Sequence, residues 1–368
     1  MMQDEELRTR LARATSGLSF DAERSLQRFH ASRARRLAVR RVATVAVALT
    51  VAVLGLFVAW MARPGGSPAH QPLVQSGPTG TIAYMRASDA GNVSAVFAAS
   101  VEGGTPVAIG TEAYTDFPVW SPDGTNIAYG AGSDLGSSSL MVANADGTGA
   151  HRIVDAPVLG VSWSPDGKRI AYIGWDTQGA TGAYVVSADG TGNALVIEGF
   201  WQSVAWSPDG QHLLLAGRPA TNGGATGAEG FDLYTVRPDG TDLVPLTHGG
   251  GYEQFATWSP DGSRILFTRG DQFEDYAQDV YVMDADGSNE RRLTSWPGFD
   301  SFPVWSPDGS WIAFASDRDA SPEQQHAIQA NGAFTNISTY VMRADGSDVQ
   351  RVFTAHDGEA LLPGSWRP

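Results

Sequence analysis

The chain has 368 residues, with 43 Gly, 20 Pro, no Cys and a formal net charge of −15. The lack of cysteine excludes disulfide staples, thiolate metal centres and a cysteine nucleophile, and the acidic balance argues against a nucleic-acid surface. The excess of Gly and Pro suits many short strands joined by tight turns, and a hydrophobic share of 42%, with 11 Trp, 15 Phe and 10 Tyr, is enough for a substantial core.

Residues 1–41 form a basic segment with weak helical patterning. Leu7 and Leu11 are spaced i, i+4, Leu26 and Phe29 are spaced i, i+3, and Ser19-Phe20-Asp21 suits a cap. A dense cationic run (Arg33, Arg35, Arg36, Arg40, Arg41) then precedes Val42–Ala62, VATVAVALTVAVLGLFVAWMA, which carries no charge. As a helix this stretch would be about 31 Å long, matching the hydrocarbon core of a bilayer. Trp60 stands at its far end and only Arg63 is close downstream. Residues 42–62 are therefore predicted to be a single transmembrane helix of the plasma membrane, with residues 1–41 cytoplasmic and the remainder extracytoplasmic. The leader and the apolar stretch are both too long for a cleaved signal peptide, so the anchor is expected to remain. Residues 63–79, rich in Pro, Gly and Ser, read as a linker. Residues 1–42 hold ten Arg against five Asp or Glu, whereas the rest holds 15 basic and 35 acidic residues.

The tail reads either as a solvated arm that touches anionic lipid or as a docking helix for a cytoplasmic partner. A short cytoplasmic helical segment, one anchor and an outer domain together resemble the layout of bacterial membrane-bound anti-sigma factors, and the resemblance implies a sigma factor as that partner. The His/Cys zinc motif of that family is absent, since the chain has no Cys.

From residue 80 onward the sequence repeats. WSPDG occurs at Trp120–Gly124, Trp163–Gly167, Trp206–Gly210, Trp258–Gly262 and Trp305–Gly309. A second turn lies between them, at Ala145-Asp146-Gly147, Ala188-Asp189-Gly190, Pro238-Asp239-Gly240, Ala285-Asp286-Gly287 and Ala344-Asp345-Gly346. Each interval reads strand, SPDG, strand, variable loop, strand, DG turn, strand, with segments such as NIAYG, SLMVA and HRIV carrying the alternation of sheet. In SPDG, Pro presets φ at the first corner of a type I turn, Asp suits the second, and Gly takes the left-handed conformation that closes a bulged hairpin. The preceding Trp ends a strand, where its ring can wedge against the neighbouring sheet.

Four short antiparallel strands per repeat of about 43 residues make a propeller blade. Gly103 fits the DG frame of a first unit, which starts at residue 80 with TIAYMRA, SAVFAAS and PVAIG but lacks an innermost strand. Trp366, in the terminal LLPGSWRP, falls where another repeat Trp belongs, so the last strand is predicted to complete blade one. The expected fold is thus all-β: a six-bladed β-propeller over residues 80–368, closed by the C-terminal strand and marked by Trp120, Trp163, Trp206, Trp258, Trp305 and Trp366. The repeats resemble the WD40-like beta propeller repeat (PD40) of the TolB family, which implies a six-bladed propeller. TolB itself carries an N-terminal α/β domain where this chain has its anchor and short tail, so only the propeller carries over.

The spacing from the repeat Trp to the DG Asp varies, while the next gap barely does. The extra residues therefore sit between second and third strands, at Arg218–Gly230, Gly270–Gln278 and Ser316–Asn336. These loops share one face of the disc with the starts of the innermost strands, and the SPDG and DG turns form the other. The linker and the C-terminus both reach the SPDG face, which is expected to look toward the membrane. A protein, peptide or glycan ligand is expected on the elaborated face, where Asp116, Trp201, Glu253 and Asp300 stand at the channel mouth. Alternatively those acids are ordinary solvated loop residues.

No G-x-S-x-G, H-E-x-x-H or G-x-x-x-x-G-K-[ST] motif occurs, and the seven His form no i, i+2 or i, i+4 ligand pairs. No catalytic residue, metal ligand or cofactor is predicted. Asp284-Ala285-Asp286-Gly287 with Glu290 faintly resembles a calcium loop but lacks its 12-residue frame and coincides with the DG turn. The enzymatic alternative is a cation-assisted hydrolase or lyase using carboxylates at the mouth.

Overall fold

The structure, a computed structural model, describes residues 81–367 with interruptions at 89–93, 101–106, 111–113, 116–117, 133–137, 176–180, 221–229, 250, 272–276, 322, 326–336 and 354–358. The expected tail, membrane helix and linker, together with Gly103 and Asp116, lie outside the described residues. Among the described residues no helix is long and apolar enough to cross a membrane.

The strands follow the repeat, and all named pairings are antiparallel. The first group is β1 (Thr81–Ser88), β2 (Ser94–Ser100) and β3 (Val107–Gly110). In the second, β4 (Tyr114–Thr115) and β5 (Val119–Trp120) both pair with β6 (Asn126–Gly132), followed by β7 (Ser139–Asn144) and β8 (His151–Val154). The third runs β9 (Val158–Trp163), β10 (Arg169–Trp175), β11 (Thr181–Ser187) and into β12 (Ala194–Trp206). The fourth takes the second half of β12, then β13 (Leu213–Pro219), β14 (Asp232–Val236) and β15 (Val244–Pro245). The fifth is β16 (Tyr252–Trp258), β17 (Arg264–Gly270), β18 (Gln278–Asp284) and β19 (Arg291–Arg292). The sixth is β20 (Asp300–Trp305), β21 (Trp311–Ser316), β22 (Ser338–Arg343) and β23 (Gln350–Phe353). The last strand, β24 (Glu359–Arg367), pairs with β1, placing Trp366 opposite Ile82 and Arg367 opposite Thr81.

The turn chemistry is that expected from the sequence. In all five SPDG turns the Ser Oγ donates to the Asp Oδ1, at 2.5–2.6 Å. The Gly N–H donates back to the Ser carbonyl, as in Gly124 to Ser121 at 2.8 Å, and Gly124 sits at φ 67°. The Asp in turn accepts the backbone N–H two residues on, such as that of Thr125 at 3.0 Å. Such local satisfaction fixes the hairpin without help from the rest of the protein. The DG turns repeat the logic with Asp146 and Thr148 and their equivalents. They also need glycine for packing: a Cβ on Gly147, at φ 81°, would lie 2.4 Å from the carbonyl oxygen of Ala108 in the preceding group.

The core lies between adjacent groups. Leu140, Val142 and Val154 of the second face Val158, Trp163, Ile170 and Tyr172 of the third. Equivalent layers join the first to the second, the fourth to the fifth and the fifth to the sixth. Each fully buried aliphatic or aromatic side chain is worth about 1.5–3 kcal/mol. The repeat Trp acts as the wedge that its position suggests: the Trp163 Nε1–H donates to the Val119 carbonyl of the neighbouring group at 2.9 Å. The Arg169 guanidinium lies 4.6 Å from the Trp206 ring, and Arg264 lies at the same distance from Trp305.

One contact shows what β24 stands in for. The Trp206 N–H donates to Ser162 Oγ at 3.0 Å, across the boundary between the third and fourth groups. The Trp120 N–H makes the same bond to Ser365 Oγ at 2.9 Å. Ser365 thus occupies in the first group the place of Ser162 in the third. β24 also approaches β5 on one side and β20, β21 and β22 on the other.

Candidate functional site

Trp201, Glu253 and Asp300 each stand five residues before a repeat Trp, at equivalent points of three consecutive innermost strands. The structure brings them to this shared level and buries all three, at 1%, 2% and 0% exposure. Glu253 is held by Arg269 of the adjacent second strand, and Asp300 by Arg318, two residues past the end of its own. Glu253 accepts from Thr247 Oγ1 and from Arg269, whose Nε lies 3.0 Å away. Arg269 also reaches Glu290 through Nη1 and Nη2, at 2.6 and 2.7 Å. Both oxygens of Asp300 accept from Arg318 Nη2, at 2.9 and 2.8 Å. Burial pushes the Glu253 carboxyl up, against the opposing hydrogen bonds from Thr247 and Arg269. A buried carboxylate is tolerated only when paired in this way.

In the fourth group an aromatic cluster replaces the ion pair. Trp201 meets Tyr234 edge-on, with ring centroids 5.5 Å apart, and its buried Nε1 has no acceptor among the described residues. Arg218, opposite Phe200 and so one residue off the register in which Arg269 faces Glu253, lies 5.6 Å from the Phe200 ring and 5.9 Å from Phe231.

Around the sixth group a second layer of buried charge appears that spacing arguments missed. Asp317, fully buried, accepts from Trp296 Nε1 at 2.8 Å and from the Phe299 N–H at 3.0 Å through Oδ1, while its Oδ2 has no partner among the described residues. Burial raises its pKa, and the nearby Asp300 charge adds to that. Asp279 accepts from Arg292 and from Thr294 Oγ1, and burial raises its pKa too. The signal for the arginines was in the repeat itself: Arg218, Arg269 and Arg318 recur at or just past the ends of second strands. Nothing local marks Asp317.

The innermost strands also bulge at the third residue before the repeat Trp. There Gly160 takes φ 65°, and Phe255 and Phe302 take φ 53° and 57°. The two phenylalanines lie on neighbouring innermost strands with ring centroids 4.0 Å apart. Left-handed backbone is costly for a bulky residue and persists only where packing imposes it. Beneath lies a buried polar set: Ser301 Oγ donates to Gln278 Oε1 at 2.8 Å, and Gln278 Nε2 reaches Gln254 Oε1 at 3.4 Å.

The carboxylates of the calcium-like stretch are all engaged. Asp286 accepts from Ser288, Asp284 from Asn289, and Glu290 from Arg269. Among the described residues no three His, Cys, Asp or Glu side chains converge on a point that could hold a metal ion.

Comparison with known proteins agrees with this architecture. Residues 131–274 match the TolB beta propeller domain family, PD40. TolB from Acinetobacter baumannii superposes with a TM-score of 0.61 at 19% identity, over 78% of this chain and 66% of its own. A TolB candidate of Agrobacterium tumefaciens gives 0.55 at 20% identity, over 79% of this chain and 100% of its own. An oligogalacturonate lyase in complex with manganese gives 0.51 at 13% identity, over 71% and 73%. No curated protein matches the chain in sequence. At these identities the likeness to solved structures is one of fold. The family match is confined to residues 131–274, which thus carry the signature of the TolB beta propeller domain, PD40.

Proposed function

We propose that the chain is an extracytoplasmic interaction module, tethered by residues 42–62, that binds a protein partner on the face opposite its SPDG turns. In this reading the six strand groups are the blades of a six-bladed ring, and β24 closes it. Pairing of β24 with β1, its approach to β20–β22 and the Ser365–Trp120 bond support that closure. The observation that carries the functional reading is an asymmetry between the two faces. Added chain length is confined to connections between second and third strands, and the roots of two of these, at Arg269 and Arg318, are braced by buried ion pairs. A rigid scaffold with variable loops on one side is the common design of a binding protein. Glu253 and Asp300 then serve to position the arginines. We assign no catalytic step.

Thr81 and Arg367 lie at the sheet end that bears the SPDG turns, which supports a membrane-proximal SPDG face. The test uses the full chain in its membrane with a C-terminal tag. Digestion of the propeller in spheroplasts, with residues 1–41 protected until lysis, is the expected result, and protection of the propeller would overturn the orientation. Crosslinking from loop positions 223, 274 and 330, compared with SPDG-turn positions, should capture a partner from the loop face alone. Capture of a sigma factor from residues 1–41 would add the regulatory role of the tail.

A further inference from the structure

Between the fifth and sixth groups, on their outer flank, the chain forms an open cleft of about 220 Å³ lined by Leu293, Thr294, Ser295, Trp296, Arg318 and Val349. It is smaller than the roughly 300–1,000 Å³ of a whole small-molecule site, and suits one residue of a larger ligand. Its walls are held from behind. Asp317 fixes the Trp296 ring through Nε1, and Asp300 fixes Arg318 through Nη2, while Arg318 Nε donates to Ser316 Oγ at 2.9 Å. The Arg318 side chain remains 22% exposed, and among the described residues its hydrogen bonds run from Nε and Nη2, leaving Nη1 without an acceptor. Val349, 42% exposed, and half-buried Leu293 supply an apolar rim. The cleft therefore offers an anchored indole and a guanidinium, the residue types enriched at interface hot spots, beside two aliphatic side chains and an exposed serine.

We propose that this cleft is the anchoring pocket for the protein partner, taking one aliphatic side chain whose adjoining peptide carbonyl accepts from Arg318 Nη1. The inference rests on the interaction reading above and carries the contact from the loop face, at Trp296 and Arg318, down onto the adjoining flank. The charge around the cleft selects the acceptor. Asp279, Asp300, Asp317 and Asp319 stand against three cations, Arg292, Arg318 and Arg351, so an incoming carboxylate meets net negative charge whereas a neutral carbonyl is not repelled. The lining also selects peptide over sugar. A pyranose needs several polar partners, yet Thr294 Oγ1 and Trp296 Nε1 are already committed to Asp279 and Asp317.

The test titrates N-acetyl-L-leucinamide against the full chain in detergent micelles and follows binding by saturation-transfer difference NMR. Two substitutions at exposed positions leave the buried network alone: Val349→Asp, which charges the rim, and Ser295→Trp, which fills the cleft. The amide should bind the native chain, and each substitution should weaken it by roughly tenfold. N-acetyl-L-leucine should bind several-fold more weakly than the amide, and methyl β-D-glucopyranoside should bind less than either. Absence of amide binding, equal binding by both variants, preference for the carboxylate or preference for the glycoside would each overturn the proposal. A partner crosslinked equally well by native and Val349→Asp chains would remove the cleft and leave the interaction reading in place. Amide binding in a chain that captures no partner would keep the cleft and remove the wider reading.

Discussion

The two faces of the propeller solve the problem of aspartate in opposite ways. On one, ten turn aspartates are mostly exposed and satisfied within a few residues by Ser or Thr hydroxyls and backbone N–H groups, which depress their pKa values. On the other, Glu253 and Asp317 are buried and Asp279 is partly buried, their pKa values raised by desolvation, and their partners lie well away in sequence. Local satisfaction makes a turn that can be copied from unit to unit. Satisfaction at a distance ties particular units together and leaves room for each to differ, which suits the face that carries the long loops.

The largest test of this contrast is Arg318→Met, which leaves Asp300 buried without its cation. It should cost about 3–5 kcal/mol, read as a fall in the urea midpoint, and adding Asp300→Asn should recover part of the loss. If the single variant is near neutral, the ion pair does not brace the loop. Gly147→Ala comes next. It sets a Cβ against the Ala108 carbonyl at a left-handed position and should cost about 2–3 kcal/mol, whereas the same change in a loop with open space should not.

Ser259→Ala probes the copied face and should cost about 1.5 kcal/mol at neutral pH. Its pH dependence carries the sharper information. The bond from Ser259 and the Ser263 contacts lower the Asp261 carboxyl from an ordinary 3.8 to about 2. Stability from a depressed carboxyl is present above the unfolded value and is lost as pH falls through the folded one, so the deficit of Ser259→Ala should shrink between pH 4 and about 2. The buried carboxyls work the other way. With folded pKa values above the unfolded ones, they favour the folded state at lower pH and lose that contribution as pH rises, so Asp317→Asn should flatten the neutral-to-acid part of the profile. The smallest effect concerns Phe255. At φ 53° glycine is at ease and alanine is not, so Phe255→Gly should be about 1 kcal/mol more stable than Phe255→Ala, reversing the usual order in a strand.

Local rules were enough to read the turns, the strand groups and the pairing of the last strand. Pro, Asp and Gly act within four residues, and the spacing to Trp366 already pointed to β1. Three features escaped them. β12 runs unbroken from Ala194 to Trp206, because the outer strand of one group leads straight into the inner strand of the next, so Trp201 lies within a strand and not at its start. Glu253 and Asp300 read as open acids in an acidic chain, since their arginines stand 16 and 18 residues away across a strand pair. Asp317 is committed to Trp296 and Phe299, contacts set by how two groups pack and by no motif. The last two misses are long-range pairings, and they fall on the face where units differ.

The bond between the two ends of the propeller has a bearing on biosynthesis. While the chain is still emerging, Thr81–Ser88 has its sequence neighbour β2 on one side and a bare row of amides and carbonyls on the other. Only when residues 359–367 have been made can that row be covered. A product cut short before Glu359 would therefore display an open strand from its earliest sheet, a sticky mark of incompleteness that proteases and chaperones can recognise.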